Sequence, residues 1–362
     1  MRKWITLILS LVFFAASAHA QLVSLTDQEV RHLKNLIDND TTATAAFMPL
    51  RSVAEQSLLE QPNPIVKISL EGLLAGDPAK TASLRAMHDA DKIYAMALMY
   101  RLYGNKTYLG KTIEFLQAWA QANRPFGNPI NDTKLEALIT GYDLIRAEVP
   151  AEQKLQIDNW LNDVANAELN SFAAKPGRGT AVNNWNSHRI KIITLIAYTL
   201  HNSMYDTIIK TELEKQIAQN LNANGTSIDF IERDAFHYHT YDLEPLLTAI
   251  IAIKRASGKS YFEYQSDKEA SIKKSVDFII PYMTGEKQHA EFVKSRVPFD
   301  RARAANHEKG FEAGTPVDPQ IALYTLALAA YFDKDYIDII KQVSPILKPN
   351  VKWQLILNQV KR

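Results

Sequence analysis

The strongest constraint on this chain is the spacing of its apolar residues, which follows i, i+3, i+4 along most of its length. The stretch Leu84 to Tyr103 places Met87, Ile93, Met96, Ala97, Met99 and Tyr100 on such a pattern and stops at Gly104-Asn105. Tyr108 to Ala122 repeats it with Leu109, Ile113, Leu116 and Trp119, and Thr133 to Glu148 with Leu135, Leu138, Ile139, Tyr142 and Leu144. Further helices are expected over Ala151 to Phe172, where Pro150 suits a helix start, and over Asn184 to Leu200, Tyr205 to Leu221, Tyr241 to Ala256, Tyr261 to Met283 and Pro319 to Phe332. Glycine supplies only 13 of 362 residues, so turns are short and few. Strand-like alternation is confined to Val66 to Leu70 and an extended piece at Ser227 to Phe230. Helices of this length joined by short turns predict an all-α chain of helical hairpins packed as a closed or horseshoe toroid. No fixed-period motif marks a named helical repeat.

The first twenty residues read differently. Arg2 and Lys3 precede an apolar run from Trp4 to Phe14, and Ala18-His19-Ala20 is a small-x-small cleavage site. Residues 1–20 are therefore expected to be an export signal, with the mature chain, a single domain at 21–362, beginning at Gln21 and released to the periplasm or beyond the cell. The apolar run is too short to span a bilayer, so no membrane association is expected after cleavage. The chain has no cysteine, which excludes disulfides, thiolate metal sites and a cysteine nucleophile. A net charge of +1 provides no global field for nucleic acid, and a polyanionic ligand would need a local basic groove.

Three irregular stretches interrupt the helices: Lys175 to Val182, Asn222 to Phe236 and Glu286 to Val317. Loops on a rigid scaffold tend to carry function. The first leads into Asn183-Asn184-Trp185-Asn186-Ser187-His188-Arg189, an unusually polar helix start. On a helix, Asn184 and His188 share a face, with Ile192 and Ile196 continuing the row below them. The same residues would also serve as an N-cap and a core histidine. The second stretch runs into Arg233-Asp234-Ala235-Phe236-His237-Tyr238-His239-Thr240-Tyr241. His237 and His239 would share a face on a strand but not on a helix, and no third ligand is apparent, so no metal or other cofactor is assigned. The third stretch holds Arg296, Arg301, Arg303, His307 and Lys309, cations suited to carboxylates, with arginine offering bidentate contacts.

The segment Tyr238-His239-Thr240-Tyr241-Asp242-Leu243-Glu244-Pro245-Leu246 resembles the Tyr-His-x-Tyr-x-Leu-x-Pro-Leu segment of mannuronate-preferring alginate lyases. Asn183-Asn184 is similar to the double asparagine that precedes it in those enzymes. Tyr94 to Arg146, with its Tyr103-Gly104-Asn105 turn and Trp119-Ala120, resembles their early helical hairpins. The likeness covers roughly residues 85 to 255 and the remainder more loosely. It implies an (α/α) toroid, an incomplete barrel of helical hairpins, and a metal-independent lyase. The partner expected is an anionic polysaccharide, and the chain is expected to act as a monomer. It implies proton transfer by Tyr238 and neutralisation of the uronate carboxylate by Asn184. Two positions depart from the pattern. Trp185 stands where a histidine follows the second asparagine, and His188 comes three residues later. Ile231 stands where an arginine precedes the tyrosine by seven, and Arg233 is the nearest arginine. His188 and Arg233 are taken as their replacements, and the departures keep glucuronan, cut by related lyases, beside alginate as the substrate.

Elimination from a uronate removes the C5 proton and expels the C4 oxygen. Donors aimed at the carboxylate, here Asn184, His188 and Arg233, would hold the charge that develops, worth about 2.7–4 kcal/mol per donor in other enzymes. The phenol of Tyr238, with a reference pKa of about 10, is expected to be lowered by Arg233, His237 or His239. Mannuronate and glucuronate share the C4 and C5 configuration that lets one tyrosine act as base and then acid. For guluronate, His188 would be the base and Tyr238 the acid. Asn183, Trp185, Arg189, His237, His239, Tyr241, Arg296, Arg301 and Arg303 are expected to bind substrate, Trp185 and Tyr241 by stacking on sugar rings. Two rivals remain: a glycoside hydrolase using two of Asp229, Glu232 and Asp234, and a non-catalytic glycan-binding protein.

Overall fold

Helix starts in this chain are written in capping chemistry. Helix α1 (Asp27–Asn39) opens on a capping box, in which the Thr26 hydroxyl accepts the Glu29 N–H and the Glu29 carboxylate accepts the Thr26 N–H. Asp40 caps α2 (Thr41–Ser57), and Asp77 caps α3 (Pro78–Tyr103), whose proline occupies the first turn and which ends at Gly104 with φ 72°. Asn105 then caps α4 (Lys106–Ala122). A short turn of helix, α5 (Pro129–Asp132), leads to α6 (Glu136–Ile145) and α7 (Ala151–Leu169). The chain continues through α8 (Asn184–Thr199), α9 (Asp206–Asn220), the short α10 (Ile228–Arg233), α11 (Phe236–Ser257) and α12 (Ile272–Met283). It ends with α13 (Pro298–Ala305), α14 (Leu323–Ala329), α15 (Tyr336–Val343) and α16 (Pro349–Val360). This computed structural model describes residues 21–361, so the export signal expected at residues 1–20 lies outside the described residues.

Helices α3, α6, α8, α11 and α14 pack one on the next, each against its neighbour in that order. Helices α4, α7, α9 and α12 pack on their outer side, and α16 packs on α14 and returns to α1 and α2. Two concentric layers of helices, with the last meeting the first, make the toroid expected. The inner helices are apolar nearly all round because they are covered on every side; α8 buries Ile190, Ile192, Ile193, Leu195 and Ile196 together. Close approach of α3 and α6 needs Gly141, where a Cβ would lie 2.9 Å from the Ile93 side chain and 3.0 Å from the Tyr94 backbone.

Several local expectations need correction. Neither strand forms: among the described residues there are only two isolated bridges, and Ser227 instead caps α10 through the Phe230 N–H. Helix α11 begins five residues earlier than its apolar pattern, at Phe236 rather than Tyr241, so the His237–Tyr241 segment is helical. The helix expected over Tyr261 to Met283 begins only at Ile272, because Ser271 caps it and residues 261–270 form turns packed on the outer layer. That expected over Pro319 to Phe332 is a 3₁₀ turn followed by α14. Helices α1, α2, α5, α15 and α16 add to those read from the pattern, and the short α10 and α13 form inside two of the stretches expected to be irregular. No helix among the described residues is long and apolar enough to cross a membrane.

Candidate active site

The N-termini of α8 and α11 open side by side, and the loop around α13 folds over them. Helix α11 lacks a side-chain cap of its own. Its first N–H groups are taken by a distant carboxylate instead: Glu291 accepts from Phe236 at 2.9 Å and His237 at 3.1 Å. The preceding turn holds Asp234 in the left-handed region at φ 52°. Its carbonyl accepts from Phe292 N at 2.8 Å and His289 Nε2 at 3.0 Å, and its carboxylate from Lys294 N at 2.9 Å. The second and third irregular stretches are thus stitched into one wall.

A cleft of about 510 Å³ lies against this wall, bordered by Asn184, Trp185, Arg233, His237, Tyr238, Tyr241 and Arg303 among others. Seven of the thirteen residues singled out from the sequence therefore meet in one place. Tyr238 is 6 % exposed and packs with Phe292 and Phe311. The Arg233 guanidinium lies 3.7 Å from the centre of its ring, and Arg303 Nη1 donates to its hydroxyl at 3.3 Å. Both arginines are themselves held by carboxylates. Arg233 pairs with the buried Asp300, and Arg303 Nε donates to Glu308 at 2.8 Å. Glu308 also accepts the Ala75 N–H at 2.7 Å, tying the loop before α3 to the site.

Burial pushes the Tyr238 phenol up; Arg233 and Arg303 pull the other way and Asp300 opposes them, leaving it above the usual tyrosine range. This corrects the expected lowering. The neighbouring histidines give no help, since burial drives His237 and His239 down to about 4 and leaves both neutral.

Asn184 is fixed by Asp229, whose carboxylate accepts the Asn184 backbone N–H at 2.7 Å and its side-chain amide. One of the two amide hydrogens remains for the cleft. Asp229 is fully buried, which raises it to about 6 against the pull of those two donors. His188 lies one turn further down α8, as the shared face requires, but behind Tyr241, with ring centres 4.3 Å apart. It faces a second cavity of about 600 Å³ inside the toroid, where its Nδ1 shares a 2.8 Å hydrogen bond with the Thr133 hydroxyl. Burial holds it well below the usual histidine value, so it is neutral. His188 thus does not border the cleft itself.

Five other expectations fail on contacts. His239 is completely buried, accepting from the Ser227 hydroxyl at 2.8 Å and donating to the Ser275 carbonyl at 3.0 Å, which ties α11 to α10 and α12. Arg189 turns away to Glu212 at 2.7 Å and to the Glu168 carbonyl at 3.0 Å. Asn183 caps α8 by accepting the Trp185 N–H at 3.1 Å. Arg296 and Arg301 are exposed and do not border the cleft. The cleft also uses residues the sequence reading missed: Glu71, Lys80, Lys134 and Phe299. Phe299 lies within the third irregular stretch, which pointed to the site only through its cations. Nothing in the neighbourhoods of Glu71, Lys80 and Lys134 marks them, since each is a common residue in a helix start or turn.

The cleft continues into an outer arm of about 670 Å³ that shares Glu71, Leu73 and Trp185 with it. Phe126 and Phe172, 60 % and 61 % exposed, flank this arm with Lys67 and Arg178, the latter 4.0 Å from the Phe172 ring centre. Exposed rings beside cations suit an anionic sugar chain. The first irregular stretch supplies Arg178 and Thr180 here.

Residues 39–289 match the sequence profile of the family described as Alginate lyase. No curated protein matches the chain by sequence. Its fold is similar to that of an alginate lyase from Bacteroides ovatus, with a TM-score of 0.69 at 16% identity over 94% of this chain and 99% of that one. Alginate lyase A1-III from Sphingomonas species A1 matches with a TM-score of 0.55 at 18% identity, over 75% of this chain and 80% of that one. A form of A1-III crystallised with a tetrasaccharide matches at 0.54.

Proposed function

Because the chain belongs to the alginate lyase family and is a polysaccharide lyase, we propose that it cuts a β-1,4-linked polyuronate, polymannuronate or alginate, by metal-independent β-elimination. The products carry 4,5-unsaturated uronate ends. In this reading Tyr238, as phenolate, takes the C5 proton, the C4–O bond breaks as the C4=C5 bond forms, and the new phenol passes the proton to the departing oxygen. The Arg303 N–H bonded to the phenolic oxygen and the Arg233 guanidinium on its ring pull toward the charged form against the burial that holds the phenol above its usual range, so the base is the ionised minority of the resting enzyme. The Asn184 amide, oriented by Asp229, donates to the uronate carboxylate, where hydrogen bonds strengthen as charge develops. Trp185 and the outer arm hold neighbouring sugars. Residues 21–362 act as one catalytic domain, exported behind a signal at 1–20, working as a monomer in the periplasm or outside the cell.

The observation that carries this reading is that Tyr238 and Asn184, 54 positions apart in the chain, border one cleft. The same cleft speaks against the hydrolase rival. Asp229, Glu232 and Asp234 do not border it, and Glu71 is its only carboxylate among the described residues, where hydrolysis asks for two. Glucuronan shares the configuration at the reacting carbons and is the second candidate substrate. The test is to incubate the mature protein with polymannuronate, polyguluronate, glucuronan and hyaluronan, with chelator present, and to follow ultraviolet absorbance. Absorbance rising fastest on polymannuronate supports the reading. New reducing ends without absorbance would replace it with hydrolysis, and binding without either would leave a glycan-binding protein.

A further inference from the structure

The elimination needs a positive charge at the carboxylate, and the two residues expected to bring it are spent. Arg233 is paired with Asp300, and His188 is neutral behind Tyr241. Four cations border the cleft: Lys80, Lys134, Arg233 and Arg303. Lys80 Nζ donates to the Leu73 carbonyl at 2.9 Å, and Arg303 is bound by Glu308 and Tyr238. Lys134 alone of the four has neither a hydrogen bond nor an ion pair to a described residue. It stands on the 3₁₀ turn Thr133–Leu135, between α5 and α6, as an exposed residue. Burial of its ammonium and the nearby Lys191 charge lower its pKa from the ordinary lysine value, against the pull of Glu136, Asp91 and Glu244. It borders both the cleft and the inner cavity, a position shared only with Tyr241 among the described residues.

An unpaired ammonium in a cleft that also holds Asn184 and Tyr238 has room for one strong anionic partner. Glu136, Asp91 and Glu244, all lining the inner cavity, act on it through space, but none is hydrogen-bonded or paired to it, and Glu136 is engaged by Lys191. We propose that Lys134 binds the carboxylate of the uronate unit whose C5 proton is removed, acting with Asn184 as the clamp that stabilises the developing negative charge. It would thereby be a further catalytic residue and the one that selects uronates over neutral sugars. The inference rests on the lyase reading above.

The experiment compares Lys134→Gln and Lys134→Arg with the wild-type sequence. Binding of a mannuronate tetrasaccharide and of its carboxyl-reduced, neutral counterpart is measured by calorimetry in a Tyr238→Phe background, and turnover by ultraviolet absorbance with Tyr238 intact. A charge-assisted hydrogen bond is lost, so Lys134→Gln should weaken binding of the acidic tetrasaccharide roughly 10- to 100-fold. Binding of the neutral one should not change, kcat should fall as well as affinity, and Lys134→Arg should recover part of both. Because Lys134 holds no partner, melting temperatures should stay as they were. Unchanged binding of the acidic ligand, or equal loss for both ligands, overturns the proposal while leaving the lyase reading in place. Absence of unsaturated product from the unaltered protein on every polyuronate overturns that reading itself and the proposal with it.

Discussion

Replacing Arg233 by Met separates what this residue does for stability from what it does for chemistry. Its partner Asp300 has a side chain only 1 % exposed, while that of Arg233 is 14 % exposed. Breaking a buried pair from one side typically costs about 3–5 kcal/mol, since the remaining charge is left uncompensated. Asp300 keeps the Ser295 hydroxyl at 2.6 Å, and water reaches the vacated edge, so the low end of that range applies. Loss of the cation 3.7 Å from the Tyr238 ring adds about 1 kcal/mol. Arg233→Met should therefore cost about 4 kcal/mol in urea unfolding followed by tryptophan fluorescence. Changing Asp300 to Asn as well removes the stranded charge, and the double variant should return to within about 1–2 kcal/mol of the parent. Turnover should stay low in both, because the ring of Tyr238 has lost its cation. The pH at which activity rises should move upward in the single variant, where Arg303 alone is left to oppose Asp300 and burial at the phenol. A loss below about 1 kcal/mol for Arg233→Met, or no recovery in the double variant, would refute the buried-pair reasoning.

Two further outcomes follow from the buried ionisable groups. Burial raises Glu168 well above the usual carboxylate range, and its neighbour Asp132 is raised too. The folded state then holds its proton more tightly than the unfolded one, so stability is full at low pH and declines as pH rises from the ordinary glutamate range through the raised value. Glu168→Gln should flatten that decline in urea midpoints measured from about pH 4 to about pH 9, and an unchanged slope would contradict it. His188 is already neutral at neutral pH, so His188→Gln should alter the rate without removing any ionisation between about pH 6 and 8. Disappearance of an acidic limb in that variant would restore His188 as a base.

Periodicity made the inner helices legible, because a helix covered on all sides must be apolar in a regular way, as α8 and α11 are. It failed where capping and tertiary contacts decide. The polar run from Phe236 to Thr240 carries no apolar stripe, yet it is helical because Glu291, far along the chain, supplies the missing cap. Ser227 to Phe230 looks extended, but the Ser227 hydroxyl starts a helix. Within the site, polarity did not reveal direction. Arg189 and Arg233 look alike in sequence, and only packing sends one to Glu212 and the other to the Tyr238 ring. His237 borders the cleft and His239, two residues on, faces the opposite side of the same helix. Lys134 escaped notice because its importance lies in lacking a partner, which no local pattern can signal.

The claim on which the account turns is that the hydroxyl of Tyr238 moves the proton. Tyr238→Phe keeps the ring between Arg233, Phe292 and Phe311 and deletes only the oxygen held by Arg303. Release of unsaturated ends from polymannuronate should then fall at least about a thousandfold, with tetrasaccharide binding within a few-fold of the parent. Undiminished release of unsaturated ends by the phenylalanine variant would contradict the account at its centre.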